Sequence, residues 1–309
     1  MRTFVVLLIV LTQLGALLAA CDGGGGASTS GGPPGTPPPV TKIAFATRRH
    51  GKGEVYVLRP DGRQVNVSNH PEEDVNPDWS PDGSRIAFAS NRSGDYQLYV
   101  VNADGSGLTQ VTSGPGDLSP RWSPDGERIA FSRVGTLMVV ESDGGNEQTI
   151  LAGQPQEDGS LCASGGFVGG WSPDGQRITF YAADVRKNVG NICIVNVDGS
   201  GLTAVVSEPS AYHVEPSWSA DGATIVYRSI REGNHEVYRV NIDGSEDTNL
   251  TNHQATDLEP DWSPDGNWVV FASDRSGDFE LYALRSDGSE LIQLTVDPGK
   301  DSDPSWSPR

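Results

Sequence analysis

Pairs of acidic or polar residues recur before the tryptophans of this chain, at a spacing that could build a binding site. They stand five and three positions before a Trp-Ser motif in five places: Asp74 and Asn76, Asp117 and Ser119, His213 and Glu215, Asp257 and Glu259, and Asp301 and Asp303. If they converge, the carboxylates repel one another unless a cation or a basic partner neutralises them. We therefore expect capture of Ca²⁺ or of a Lys- or Arg-bearing peptide segment, and a solvated rim with mobile counter-ions is the alternative.

Two of the three cysteines belong to a part of the chain that departs from this spacing. Residues 152–170 are a Gly-rich insertion, in which Gly166 and Val168 stand at the paired positions and which also contains Cys162. Cys193 follows at a position where other parts of the chain have tyrosine. If the chain is exported, as its N-terminus predicts, its compartment is oxidising, and we predict a Cys162–Cys193 disulfide rather than two free thiols.

Three arginines, Arg92, Arg231 and Arg275, each stand thirteen residues after a tryptophan. We expect each of them to pair with a carboxylate of a neighbouring repeat. The alternative is that they contact an acidic ligand, together with Arg48, Arg49 and Lys52.

Motifs of local catalytic chemistry are missing from the sequence. There is no Gly-x-Ser-x-Gly, no His-Glu-x-x-His, no phosphate-binding Gly-x-x-x-x-Gly-Lys and no cysteine cluster for zinc. We therefore assign no catalytic residue, although an active site assembled from distant segments would leave no such motif.

The overall charge excludes one class of partner. Asp and Glu outnumber Lys and Arg by 41 to 22, and the formal net charge is −19. A nucleic-acid binder needs basic side chains to neutralise phosphates, so we expect no nucleic-acid partner. Direct adhesion to an anionic membrane surface is disfavoured for the same reason.

The N-terminus has the pattern of an exported lipoprotein. Arg2 precedes an apolar run over residues 4–18, which is shorter than the roughly 20 residues of a membrane-spanning helix. The run ends in Leu-Ala-Ala-Cys, which resembles a bacterial lipobox, so we expect residues 1–21 to be a signal peptide and Cys21 to carry the lipid. Residues 22–41, rich in Gly, Ser, Thr and Pro, are predicted to form a flexible tether.

The remaining residues, 42–309, form a repeating pattern that would position the polar pairs. Trp-Ser recurs at intervals of 43 to 49 residues, and its tryptophans are Trp79, Trp122, Trp171, Trp218, Trp262 and Trp306. Each full repeat contains four short segments of alternating apolar residues, separated by Pro-Asp-Gly (Ala-Asp-Gly once) and Asp-Gly turns. Such a period predicts an all-β propeller of four-stranded antiparallel blades.

The two ends of this region are expected to supply the strands of one further blade. The first repeat lacks its Trp segment, and the chain stops just after an unaccompanied Trp segment that begins at residue 301. We predict that three N-terminal strands and this C-terminal strand form one blade, which closes a ring of six.

The repeated Trp-Ser-Pro-Asp-Gly and Leu-Tyr-Val-x-x-Asp-Gly-Ser motifs resemble the TolB-type, WD40-like β-propeller repeat. The resemblance implies a protein or peptide partner in the cell envelope. Because this repeat type also occurs in some lyases, an enzyme that acts on envelope or extracellular polysaccharide, a lyase or a hydrolase, is the alternative.

In a blade of this kind, the Pro-Asp-Gly and Asp-Gly turns share one face, and the connections of variable length share the other. We predict that the chain is a monomeric, lipid-anchored binding module on the periplasmic or extracellular side. Its partner would bind at the variable connections and at the acidic mouth of the channel. A scaffold within a larger envelope complex is a further alternative.

Overall fold

The computed structural model describes residues 41–153, 162, 166–184, 189–208 and 210–308, and these residues form twenty-four β-strands. The predicted signal peptide and Cys21, and almost all of the predicted tether, lie outside this part of the chain. Within the described ranges, no helix has the length and hydropathy needed to cross a membrane.

The strands form six four-stranded antiparallel sheets, which are the blades of a propeller. Blade 1 begins with β1 (Ile43–Thr47), β2 (Glu54–Leu58) and β3 (Gln64–Asn66). Blade 2 contains β4 (Asp74–Trp79), β5 (Arg85–Ser90), β6 (Gln97–Asn102) and β7 (Thr109–Gln110). Blade 3 contains β8 (Asp117–Trp122), β9 (Arg128–Arg133), β10 (Thr136–Glu141) and β11 (Gln148–Leu151). Blade 4 contains β12 (Phe167–Trp171), β13 (Arg177–Asp184), β14 (Val189–Asn196) and β15 (Thr203–Val206).

The last two blades have the same plan. Blade 5 contains β16 (His213–Trp218), β17 (Thr224–Ser229), β18 (Glu236–Asn241) and β19 (Thr248–Asn249). Blade 6 contains β20 (Asp257–Trp262), β21 (Trp268–Ser273), β22 (Glu280–Arg285) and β23 (Leu291–Gln293). The final strand, β24 (Asp301–Trp306), pairs with β1 and completes blade 1 in the order β24-β1-β2-β3. The prediction of six blades, closed by the two chain ends, is confirmed.

The hydrophobic core lies between the blades. Trp79 of blade 2, for example, is 4 % exposed and packs in one cluster with Val55 and Val57 of blade 1 and with Ile86 of its own blade. Trp268 is likewise buried, in a cluster that joins blade 6 to blade 1. A single sheet could not bury both of its faces, so the closed ring stabilises every blade.

The minimal turns of each blade lie on one face, which we call the turn face. In the Pro-Asp-Gly turns the aspartate accepts hydrogen bonds from a serine hydroxyl and from a backbone N–H, as Asp82 does from Ser80 at 2.6 Å and from the Ser84 N–H at 3.0 Å. The following glycine, Gly83, has a φ of 67°, which a glycine adopts at little cost. The connections between second and third strands, and from each fourth strand to the next blade, lie on the opposite, variable-loop face.

The innermost strand of each blade contains a β-bulge that decides where its side chains point. In β20, Leu258 pairs with Ala272 but Asp261 pairs with Val270, so one extra residue is inserted between them. Pro260 lies inside the bulge, where its missing N–H breaks no ladder hydrogen bond. A proline stands at this position, two residues before tryptophan, in every blade except blade 4.

Candidate functional site

A cavity of about 530 Å³ occupies the central channel. It is lined by the six inner strands and by connections of the variable-loop face, such as those that contain Arg48, Ile230 and Lys300. No described residue of the Pro-Asp-Gly turns contributes to its wall. The cavity therefore belongs to the variable-loop face, where the sequence predicts binding.

The bulges place one residue per blade, three before tryptophan, on the wall of this cavity. Five of these residues have positive φ angles between 49° and 56°: Asn76, Ser119, Glu215, Glu259 and Asp303. A left-handed backbone is unfavourable for residues other than glycine, more so for glutamate than for asparagine or aspartate, and persists only where the surrounding structure holds it. For Asn76, Glu259 and Asp303, a hydrogen bond from the backbone N–H to a carboxylate of the neighbouring blade supplies that support.

Three of these residues form a continuous arc that we call the acid row: Glu215, Glu259 and Asp303, from blades 5, 6 and 1. Each carboxylate accepts a hydrogen bond from the backbone N–H of the equivalent residue in the next blade. The Glu259 N–H donates to Glu215 Oε2 at 3.0 Å, and the Asp303 N–H donates to Glu259 Oε2 at 2.6 Å. The Asn76 N–H donates to Asp303 Oδ2 at 3.4 Å. The carboxylates therefore form an arc over three blades, whereas the polar pairs predict a carboxylate-rich mouth with contributions from five.

The three carboxylates differ in their side-chain partners. Arg228 donates to Glu215 Oε1 at 2.7 Å, and the neutral Asn76 side chain donates to Asp303 Oδ1 at 2.9 Å. Glu259 lies between two other carboxylates and forms no ion pair with any described Lys, Arg or His. Burial, followed by the charges of Asp303 and Glu215, raises the pKa of Glu259 well above its usual range. Burial also raises the pKa values of Glu215 and Asp303.

A second layer of carboxyl groups lies deeper, one residue before tryptophan. Asp78 Oδ2 accepts a hydrogen bond from the Trp122 N–H at 2.7 Å, and Asp261 Oδ2 accepts one from the Trp306 N–H at 2.8 Å. Burial raises the pKa of Asp78 to about 7, and it also raises the pKa of Asp261. Our sequence reasoning missed this layer, although the repeated Asp-Trp pair before Ser-Pro was its signal.

The wall formed by blades 3 and 4 has a different chemistry. Phe167 and Tyr181 stack with ring centroids 5.2 Å apart, and Val168 stands where other blades have a polar residue. A Cβ added to Gly169 would lie 2.3 Å from the Pro216 carbonyl oxygen, so only glycine allows this close approach of blades 4 and 5. The carbonyl of Gly169 accepts a hydrogen bond from Arg121 Nε at 2.9 Å. The cavity is therefore acidic on one side and largely apolar on the other.

The residues five positions before tryptophan do not line the cavity, which corrects our expectation of their placement. Asp74, Asp117, His213, Asp257 and Asp301 are fully buried inside their blades. The physical reason is the bulge, because one extra residue reverses the alternation of side chains along the strand. Of the predicted mouth residues, the cavity receives Asn76, Glu215, Glu259 and Asp303, together with Ser119.

The four buried aspartates each bind an arginine. Both carboxylate oxygens of Asp257 accept from Arg275 at 2.9 Å, and both of Asp74 accept from Arg92 at 3.0 Å. In the other two blades, the pairs are Asp117 with Arg133 and Asp301 with Arg49. The partners of Arg92 and Arg275 lie in the same blade rather than in the neighbouring blade that we expected. Arg92 and Arg275 therefore attach the connection between the second and third strands to the first strand of the same blade.

Blade 5 replaces the aspartate with His213, which is fully buried and contacts the Tyr227 ring edge-on at a centroid distance of 5.6 Å. Burial, assisted by the positive charge of Arg231, lowers the pKa of His213 to about 4. Arg231 instead pairs with Glu208 at 2.8 Å and with Asp247 at 2.7 Å. The charge of this arginine is thus balanced by residues that no motif marks.

Cys162 and Cys193 form a disulfide, with a Cα–Cα distance of 6.0 Å, which is the pairing that the sequence predicts. Both residues are buried in the cluster that contains Phe180 and Trp171. The bond attaches the insertion between blades 3 and 4 to β14.

The described residues contain no group of three or more His, Cys, Asp and Glu side chains arranged to hold a metal ion. The carboxylates of the acid row point along an arc, each toward the next backbone N–H, instead of converging on one point. The structure therefore gives the expected calcium site no support.

Comparisons with solved structures establish the fold independently. TolB from Acinetobacter baumannii matches with a TM-score of 0.72 and 21 % identity, over 87 % of this chain and 67 % of that chain. A putative TolB from Agrobacterium tumefaciens matches with a TM-score of 0.66 and 23 % identity, over 84 % of this chain and 91 % of the other. An oligogalacturonate lyase in complex with manganese matches with a TM-score of 0.53 and 19 % identity, over 83 % of this chain and 73 % of that one.

No curated protein matches the sequence. The family model of the TolB beta propeller domain, however, matches residues 25–169 and 135–309, which together include the whole propeller. Its matches agree with the six blades and with the Trp-Ser motif that each of them contains. The chain belongs to the TolB beta propeller domain family.

Proposed function

We propose that this chain is a non-enzymatic binding module of the cell envelope. It holds a protein or peptide partner at the variable-loop face and places a Lys or Arg side chain of that partner against the acid row. The observation that carries this proposal is Glu259, a carboxylate on the cavity wall that lies between two other carboxylates and forms no ion pair with a described Lys, Arg or His. A basic group from a partner would supply the missing positive charge.

The size and wall of the cavity support a peptide segment as the bound element. A volume of about 530 Å³ lies within the usual range of pockets that hold a small ligand or a few side chains, roughly 300–1,000 Å³. Phe167 and Tyr212 contribute aromatic surface to the wall, which suits the apolar stem of an arginine or an adjoining apolar side chain. Of the described residues that line the cavity, six carry carboxyl groups and four are Lys or Arg, so this part of the wall is acidic in balance.

The location that we propose is the outer side of a bacterial membrane, with the monomeric chain exported by residues 1–21 and anchored through a lipid on Cys21. The start of the fold is compatible with this anchor. β1 begins at the turn face, where the Ser307 N–H donates to the Lys42 carbonyl at 2.9 Å. A tether that ends at Thr41 therefore joins the fold opposite the cavity and leaves the variable-loop face free for a partner.

Affinity capture from detergent-solubilised membranes tests the proposal. Wild type, Glu259→Gln and Glu232→Gln proteins would be used as bait. Glu232 is an exposed carboxylate on the same face, outside the cavity, so its variant controls for the loss of one charge. We expect one partner to be retained by the wild type and by Glu232→Gln, and to be lost with Glu259→Gln. Equal retention by all three would refute the role of the acid row, and turnover of a glycan panel by the wild type would favour the polysaccharide enzyme instead.

A further inference from the structure

We propose that the acid row holds one proton at neutral pH, and that a Lys or Arg side chain entering the cavity displaces this proton into the solvent. The first half of the proposal concerns the free protein alone. The second half rests on the proposed function, because it requires a basic group to bind at the row.

The geometry of the row makes full ionisation unfavourable. Three carboxylates from consecutive blades are linked in series, because each accepts a hydrogen bond from the backbone N–H of the equivalent residue in the next blade. Each backbone N–H stabilises one oxygen of its carboxylate, but it carries no net charge. Carboxyl groups that share a confined site ionise in steps because of their mutual repulsion, and a proton held by one of them removes that repulsion.

The described cations that line the cavity have other partners. Arg228 pairs with Glu215 and also contacts the His235 ring, whereas Arg48 pairs with Glu73 outside the cavity. Arg121 donates to the carbonyls of Pro120 and Gly169. Lys300 lies over the Phe279 ring at 5.5 Å. None of these described cations forms a hydrogen bond or ion pair with Glu259.

Among the residues that the structure describes, the other titratable groups on the cavity wall add negative charge or none. Asp78 and Asp261 lie below it, and Asp274 lies on the cavity wall. Burial lowers the pKa of His235 to about 4, so this ring is neutral at pH 7. Burial also raises the pKa of Tyr181 well above its usual range, so its hydroxyl stays protonated, and Tyr212 is a further phenol on the same wall. The raised pKa values of Glu215, Glu259 and Asp303 agree with this balance.

A basic side chain beside Glu259 shifts the protonation equilibrium of the row toward the ionised form. Its charge favours the ionised carboxylate, so the pKa of the row falls and the proton passes to the buffer. By linkage, affinity for the basic group rises with pH, by up to about tenfold per pH unit, over the range in which the free row is still protonated. The dependence disappears once the free row is fully ionised.

The test follows the side-chain carboxyl carbon of Glu259 by ¹³C NMR as a function of pH. It uses the free wild type, with Glu259→Gln to assign the signal and the exposed Glu232 as an internal reference. The titration is repeated with N-acetyl-arginine amide as the probe, and with the citrulline analogue, which has the same shape and no charge.

We expect the midpoint for Glu259 in the free protein to lie well above the 4.5 of an ordinary glutamate, and to move down with the arginine probe but not with citrulline. An ordinary midpoint in the free protein would overturn this inference and leave the proposed function standing. A raised midpoint that the arginine probe does not move would overturn proton release, and would also count against recognition of a basic group at this row.

Discussion

Asp257 and Glu259 stand two residues apart, and we predict that their replacement has opposite effects on stability, because only Asp257 belongs to a buried ion pair. Asp257 is fully buried, and both of its oxygens accept from Arg275, whose guanidinium lies over Phe271 and Tyr282 at 5.3 and 5.0 Å. Asp257→Ala leaves this arginine buried without its counter-ion. Removal of one partner of a buried ion pair costs about 3–5 kcal/mol. For a domain of this size, that loss corresponds to a fall of about 6–10 °C in Tm.

Glu259→Gln, in contrast, should not lower the stability of the protein. The glutamine oxygen can still accept the Asp303 N–H, and the change removes a negative charge from between two others. Because the pKa of Glu259 is raised in the fold, the wild type loses free energy of unfolding as the pH rises from 4.5 through that raised value, and the variant does not. At pH 8 we therefore expect Glu259→Gln to be at least as stable as the wild type.

Urea and thermal unfolding followed by circular dichroism measure both changes. The double variant Asp257→Leu/Arg275→Met is the control, because an apolar pair of similar volume should recover most of the loss. A loss of less than about 1 kcal/mol for Asp257→Ala would contradict our assignment of a buried, structural ion pair, since that is what an exposed pair contributes.

Three further predictions concern other parts of the chain. His213 has a folded pKa of about 4 against an ordinary value of 6.5, so the free energy of unfolding should fall as the pH drops from about 6.5 to 4, by on the order of 3 kcal/mol. His213→Leu should flatten this part of the pH profile, and an unchanged slope would contradict a neutral, buried histidine. Replacement of Cys162 and Cys193 by serine should cost about 2–4 kcal/mol in urea unfolding, and reduction of the wild type should reproduce the loss while leaving the double variant unaffected. Cys21→Ala should abolish uptake of labelled palmitate, and continued labelling would refute lipid attachment at this residue.

The fold could be predicted from the sequence because the same short motifs recur from blade to blade. The Trp-Ser-Pro-Asp-Gly turn and the alternation of apolar residues act locally, and the unmatched segments at the two ends predict the pairing of β24 with β1. This pairing satisfies backbone groups that an open ring would expose, so it follows from general physics rather than from particular side chains. The Cys162–Cys193 disulfide could be anticipated because both residues belong to one irregular blade.

The sequence predicted the placement of only one member of each polar pair, the residue three positions before tryptophan. Strict alternation puts the residues five and three before tryptophan on the same side of a strand, so Asp257 and Glu259 were expected together. The bulge separates them. Pro260, which lies between Glu259 and Trp262, was the available signal, since a proline inside an inner strand indicates a bulge.

Ion pairs between residues of different loops could not be predicted from the sequence. Nothing in the sequence around Arg231 shows that Asp247, on the connection after β18, balances its charge in place of an aspartate at position 213. Such pairs depend on side-chain approach across loops, which a repeat pattern does not encode.

The most direct measurement of partner binding at the acid row is site-specific photo-crosslinking in cells. Benzoylphenylalanine would replace Ile230, on the cavity wall, and in a control protein Gln176, an exposed residue of the turn face. Crosslinked peptides would be mapped by mass spectrometry. We predict that the Ile230 probe captures one partner segment containing Lys or Arg, that Gln176 does not, and that Glu259→Gln, but not Glu232→Gln, abolishes the crosslink. A crosslink that survives Glu259→Gln, or that forms equally from the turn face, would contradict the binding site proposed for this propeller.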